Sequence, residues 1–287
     1  ILFCRARYPA SINMKIALSF LFCVPGLLPV IAQSLRYSIA QPYINLSAYS
    51  RQQTDALSFT ANQAALAQEK QPGAGVFAER RFMLKETSAY MLAAAYPTRL
   101  GNFGVQLRYA GFRNFNENKI GLAYARQLGR LVDLGIQFNY YGYRVPAYGN
   151  AWALNFEIGA ILHLTGKLNA GIHVYNPVGG NLGKDKEEKL ASAFKAGLGY
   201  DASDDFFIAA EISKEEDKPV NVMAGLQYHF AKKFFARAGF TSAATSAYAG
   251  AGVGWKNFRL DISSGYHPQL GLSPGILLIV HFNKKEE

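Results

Sequence analysis

From Gly73 to Phe282 the chain repeats one theme: about ten residues of alternating character, then a turn. Successive side chains of a strand point to opposite faces, so such alternation describes a strand with two different surfaces. Val132, Leu134, Ile136, Phe138 and Tyr140 alternate with Asp133, Gly135, Gln137, Asn139 and Tyr141. Phe194, Ala196, Leu198 and Tyr200 alternate with Lys195, Gly197 and Gly199. One face is therefore apolar over a continuous height, and the other is small and polar. A soluble sandwich turns its apolar face inward and its polar face to water. A solvated face would not be so rich in Gly and Ala. Beyond the first forty residues, no stretch approaches the ~18–20 apolar residues of a spanning helix. The pattern predicts an all-β fold, a closed antiparallel transmembrane β-barrel of about 14 strands.

The expected segments lie near 73–83, 88–97, 102–113, 118–127, 131–143, 150–165, 167–176, 190–201, 205–214, 218–231, 233–242, 246–256, 257–267 and 273–282. Arg80 and Arg81 are adjacent, so both cannot face the lumen. Every second connection is long, among them Asn114–Glu117, Arg144–Asn150, Pro177–Lys189 and His267–Ser273. Those between are tight, among them Gln127–Arg130, Thr165–Lys167, Ala231–Lys233 and Lys256–Asn257. Outer-membrane barrels have short periplasmic turns and longer external loops, and an even strand number puts both termini in the periplasm. Tyr109, Tyr140, Trp152, Tyr200, Trp255 and Tyr266 fall near strand ends, as in interfacial girdles.

The two ends differ from the repeat. Residues 1–13 read as lying ahead of a start at Met14. Lys15, the apolar run Ile16–Ile31 and Ala32-Gln33-Ser34 then compose a secretory signal peptide, so residues 1–33 are expected to be removed. Cys4 and Cys23 fall in that part, which leaves an exported chain without disulfides. The formal charge of +10 becomes about +7 once Arg5, Arg7 and Lys15 are gone. A basic exported protein meets acidic headgroups, so the expected partners are outer-membrane lipid and lipopolysaccharide. Nucleic acid is not expected, because no Arg/Lys run carries interleaved aromatics. The final strand alternates Ile276, Leu278, Val280 and Phe282 before a short tail, 283–287. This strand, ending at Phe282, resembles the signal read by outer-membrane assembly machinery.

Residues 34–72 are polar and show little alternation. Asn62 is a good N-cap for a short helix over Ala64–Ala67. Such a helix cannot span a membrane, but it fits inside a barrel whose inner face is rich in Gly and Ala. The expected organisation is thus an N-terminal plug or periplasmic segment at 34–72 and a barrel at 73–282.

The phrase Asn62-Gln63-Ala64-Ala65-Leu66, soon after a signal peptide and ahead of about fourteen strands, resembles the FadL-like outer-membrane group. It is closer in character to the Bacteroidota PorV and PorQ proteins of the type IX secretion system, which usually read Asn-Pro-Ala-x-Leu where this chain has Gln63 in place of Pro. Phe138-Asn-Tyr-Tyr, Val174-Tyr-Asn-Pro-Val-Gly-Gly and Tyr266-His-Pro-Gln-Leu-Gly are similar to phrases of Bacteroidota barrels. The resemblance implies outer-membrane transport of a hydrophobic or small amphipathic compound, or alternatively an accessory role with secretion-system proteins. For transport, Pro268 and Pro274 flank the expected start of the last strand and would support a kink there.

Arg108, Glu157, His163, His173, Lys195, Glu211, His229, Arg237, Arg259, Asp261 and His267 share the lumen parity. Charges inside a wall pair with one another or with a plug. Two readings stay open for them: a ladder bridging strands and plug, or a polar constriction on a substrate path. Arg108, Glu157, Lys195, Glu211, Arg259 and Asp261 are the principal candidates. No Ser and His stand at a spacing that specifies a hydrolase. No His/Cys/Asp cluster has ligand spacing, and no Gly-rich phosphate loop precedes a helix. Neither an enzyme nor a cofactor is expected.

Overall fold

The computed structural model describes residues 42–145, 149–182, 188–216, 218–231, 233–242 and 246–282. The signal-peptide reading of 1–33 and the tail at 283–287 lie outside the described residues. The strands are β1 (Gly73–Arg80), β2 (Ser88–Thr98), β3 (Gly101–Gly111), β4 (Asn116–Leu128), β5 (Val132–Val145), β6 (Gly149–His163) and β7 (Leu168–Tyr175). They continue with β8 (Gly180–Leu182), β9 (Glu188–Leu190), β10 (Ala193–Asp201), β11 (Phe206–Glu215), β12 (Asn221–Phe230) and β13 (Phe234–Thr241). The last three are β14 (Ser246–Trp255), β15 (Phe258–His267) and β16 (Gly271–His281).

Fourteen of these strands form one closed antiparallel barrel, each paired with its chain neighbours, and β1 pairs with β16 to close it. Their bounds fall within three residues of the segments expected from alternation. Closure leaves no open strand edge, which in lipid would strand unpaired backbone groups. The short pair β8–β9 forms a separate two-stranded sheet in the connection between β7 and β10. Leu190, at the end of β9, packs with Ala153, Tyr175 and Ala193 on the barrel's inner face.

The apolar parity faces outward. Leu92, Leu122, Phe138, Leu154, Ile172, Leu198, Ile212, Ile262 and Leu278 are all exposed, on strands all around the wall. The intervening residues are mostly buried. This is the inside-out pattern of a wall solvated by lipid. Trp152, Tyr140, Tyr200, Trp255 and Tyr266 face outward near strand ends, and Tyr140 stacks on Trp152 at 6.3 Å between ring centroids. Arg80 faces outward and is exposed, whereas Arg81, beyond the end of β1, is buried.

The expected alternation of connections holds in part: β1–β2 and β7–β10 are long, but the three-residue β15–β16 link is shorter than the four-residue β6–β7 and β10–β11 turns. The tight rim includes Gly129, whose φ of +66° suits the turn between β4 and β5, and the two-residue link Lys256-Asn257 between β14 and β15. Both barrel ends, Gly73 and His281, pair with each other at this rim.

The wall is irregular at the start of the last strand. Pro274 lies inside β16, near its start as expected, and β16 keeps its ladder with β15 through Ser264↔Pro274. On the other side, the ladder with β1 ends at Glu79↔Gly275. Proline has no N–H to donate, and Phe82 N–H bonds the Ser273 hydroxyl at 3.0 Å beyond that point. Phe82 and Met83 both have positive φ, 52° and 60°. The seam therefore ends in an irregular corner.

The residues before β1 pack against the inner face of the wall. They comprise a short helix α1 (Pro42–Ser47) and two 3-10 turns, Ser58–Thr60 and Gln63–Gln68. Wall glycines make the room. A Cβ at Gly135 would overlap the Gln63 backbone, and one at Gly159 the Asn62 side chain. At Gly171 it would lie 2.6 Å from the Tyr49 ring. The Gly-rich lumen parity is thus the imprint of a chain segment lying on it.

Candidate functional site in the barrel lumen

Buried carboxylates on the wall hold residues 42–69, here the inner segment: Asp201 of β10 accepts from the Ser50 hydroxyl and from Arg51 N–H at 3.0 Å, and three further carboxylates centre larger clusters. Glu157, on β6, is the centre of the first cluster. Its Oε1 accepts from Lys119 Nζ of β4 at 2.5 Å and from Asn139 Nδ2 of β5 at 2.8 Å. Its Oε2 accepts from Gln63 Nε2 of the inner segment at 2.8 Å and lies 3.0 Å from His173 Nε2 of β7. Four adjacent strands and the inner segment therefore meet on one side chain. Amides extend the cluster: Asn139 Nδ2 donates to Asn155 at 2.9 Å, and Asn155 Nδ2 to Tyr175 at 2.7 Å. Gln137 Nε2 donates to Gln106 at 3.1 Å, carrying the band to β3.

Glu211, on β11, is the second. The Tyr49 hydroxyl donates to its Oε2 at 2.6 Å, and Lys195 of β10 stands 3.6 Å from Oε1. Tyr49 is fully buried, and burial together with the Glu211 charge holds its phenol well above the ordinary value. It stays a neutral donor.

Asp261, on β15, is the third. It accepts from Arg237 of β13 at 3.0 Å and from Arg259 at 2.9 Å. Arg259 also reaches Asp55 of the inner segment at 2.9 Å. Asp55 in turn accepts from the backbone N–H of Leu57 at 2.9 Å, fixing the turn that leads into Ser58.

Asn62 caps the second 3-10 turn by accepting from Ala64 N–H at 3.1 Å. Its amide donates to the Ile172 carbonyl of β7 at 3.1 Å, so the cap is also a tether to the wall. At the tight rim, His163 pairs with Asp133 at 2.8 Å, and Arg51 Nε donates to His163 Nδ1 at 3.0 Å.

Of the residues singled out from sequence, Glu157, Lys195, Glu211, Arg259 and Asp261 fall into these clusters. Arg108 faces inward on β3, in register with Lys119. His267 does not join them; its ring accepts from Gln269 N–H and Leu270 N–H at the β15–β16 turn, each at 3.2 Å. Lys119 shares the parity of Gly121 and Ala123 and was legible on that ground. Tyr49, Asp55 and Gln63 carried no periodic signal.

The other side of the lumen is apolar. Phe77, Met91, Ala93, Ala95, Ala123, Ala125, Tyr248, Leu277 and Ile279 face inward and cluster with Ile44, Leu57, Phe59 and Leu66 of the inner segment. This strip follows β1, β2 and β16, beside the seam that ends at Glu79 and Gly275. Sequence parity alone missed it, because these residues stand among alanines on the face read as polar.

No protein-family model and no curated protein matches the chain. Solved structures do. A monoaromatic hydrocarbon channel, CymD, superposes with a TM-score of 0.62 at 14% identity, over 81% of this chain and 94% of that one. The Pseudomonas putida toluene transporter TodX gives 0.58 at 9% identity, over 85% and 97%. A Pseudomonas aeruginosa FadL homologue gives 0.50 at 12%, over 79% and 93%. These three lend no support to the finer likeness to PorV and PorQ or to a Bacteroidota source. At such identities they speak for the fold: this chain has the closed fourteen-strand architecture of FadL-like outer-membrane barrels.

Proposed function

We propose that this barrel sits in an outer membrane, with both termini periplasmic, and passes a hydrophobic or small amphipathic compound. The observation that carries this reading is the apolar strip inside the wall. Phe77, Met91, Leu277 and Ile279 face a lumen whose other side is charged and amide-rich. Leu57, Phe59 and Leu66 of the inner segment cover this strip, so a solute reaches it where that segment shifts, and an apolar solute then partitions onto the bared surface. The strip runs along the β1–β16 seam to the corner at Gly275, where that ladder ends. The hydrocarbon channels that share the fold support the same reading. The inner segment is the plug in this scheme, and its carboxylate anchors on the wall hold it in place. No observation favours a role in type IX secretion.

The test is uptake of labelled toluene by a diderm host lacking its own hydrocarbon channel. Expression of this chain should speed uptake of toluene but not of a neutral disaccharide. Met91→Glu, which places a carboxylate on the buried strip, should abolish the gain, with folding of the barrel checked by its heat-modifiable migration in gel electrophoresis. Equal passage of both solutes, or of neither, would sink the proposal.

A further inference from the structure

The tight-turn rim carries a ring of cations set directly under the outward apolar belt. Arg99, Arg126, Arg130, Lys167, Lys233 and Lys256 are all exposed. Each stands within three residues of a large outward-facing apolar side chain. Arg99 adjoins Leu100, which is 75% exposed; Arg130 adjoins Leu131; Lys256 adjoins Trp255, which is 70% exposed. Arg126 is followed by Leu128, Lys167 is preceded by Leu164, and Lys233 stands between Phe230 and Phe234. Five of the six tight turns contribute, and only the β10–β11 turn departs, with Asp204 and Asp205. Arg51 and Lys70 of the inner segment are exposed at the same end. Among the described residues this end therefore shows eight exposed cations against two exposed carboxylates.

Their distribution identifies the partner. Strand order places the turns at intervals around the whole circumference. A protein partner docks on one face, and a ring gives it no preferred face. A bilayer leaflet surrounds the barrel on every side. Its headgroups lie at the level where the apolar belt stops, which is where these cations begin. We propose that the tight-turn rim binds anionic phospholipid headgroups and concentrates such lipids around the barrel. This rests on the wall crossing a bilayer, not on what passes through it.

The chain has two tryptophans, and Trp255 stands at this rim. In the W152F chain Trp255 is the sole reporter. That chain is reconstituted in phosphatidylcholine with an equal, low mole fraction of brominated phosphatidylglycerol or brominated phosphatidylcholine. At low salt, quenching by the brominated phosphatidylglycerol should be about twofold stronger or more. High salt should bring the two lipids to parity. Replacing all six rim cations by Gln (R99Q, R126Q, R130Q, K167Q, K233Q, K256Q) should do the same at low salt. Equal quenching by the two lipids in the W152F chain at low salt overturns the proposal, as does a preference that persists in the folded six-fold variant. Should that variant not fold, judged by its far-ultraviolet spectrum, the salt comparison on the W152F chain decides.

Discussion

The Tyr49 hydroxyl donates to Glu211 Oε2 at 2.6 Å, although 162 residues separate the two in the chain. Both groups are buried, so this bond fastens the inner segment to β11 with no water to replace it. Tyr49→Phe removes the donor and keeps the ring on Gly171 and Gly197. It should weaken the docking of the inner segment by about 1–3 kcal/mol. Limited proteolysis reads the population of the opened form, and residues 42–69 should be cut faster in the variant while the wall strands are cut at the original rate.

Gly159→Val tests the fit between wall and segment. A Cβ there would overlap the Asn62 side chain and lie 3.0 Å from the Gln63 backbone nitrogen. The inner segment should lose this seat, and single-channel conductance in planar bilayers should rise. Gly166→Val is the control: a Cβ at Gly166 meets nothing within 4 Å, and conductance should stay unchanged.

The Glu157 cluster should show the asymmetry of a buried ion pair. Lys119→Met leaves the carboxylate without its cation and should cost about 3 kcal/mol of stability. Adding Glu157→Gln removes the stranded charge and should recover part of that loss. Urea midpoints for folding into lipid vesicles measure both, and a double variant less stable than the single one would contradict the scheme.

Glu69 supplies a pH dependence. Burial, reinforced by Asp55 and opposed by Arg259, pushes its carboxyl up to about 8. In the unfolded chain the same group titrates near the ordinary carboxylate value of 4.5. A raised carboxyl favours the folded state through its neutral form. That contribution is complete below about pH 4.5 and is lost as pH rises through about 8. The inner segment should accordingly loosen between about pH 5 and pH 9, seen as faster amide exchange at residues 63–69. Glu69→Gln should flatten the profile.

The wall was legible in the sequence because parity is a local property. Val132 to Tyr141 alternate whether or not a partner strand is known, and turns such as Gly129-Arg130 bound them. Charges on one parity were legible for the same reason. Their partners were not. Arg237 meets Asp261 only because β13, β14 and β15 adopt a particular register, and Arg259 meets Asp55 only because a non-periodic segment returns to the wall. Tyr49 and Gln63 sit in short helical turns whose buried faces follow the wall, so no period of 2 or 3.6 marks them. The apolar strip escaped notice for a related reason. Phe77 and Leu277 obey the alternation, but on the face that elsewhere carries Gly, Asn and Glu.

The seam between β1 and β16 carries a consequence for assembly. Gly73 pairs with His281, and the residue just before it, Pro72, accepts the Phe282 N–H at 2.7 Å. The segment that fills the lumen is therefore continuous with the strand that closes the cylinder. The docking of the filling, held by Tyr49, Asp55 and Gln63, and the zipping of the last ladder are thus joined through Pro72 and Gly73, so that each steadies the other during assembly.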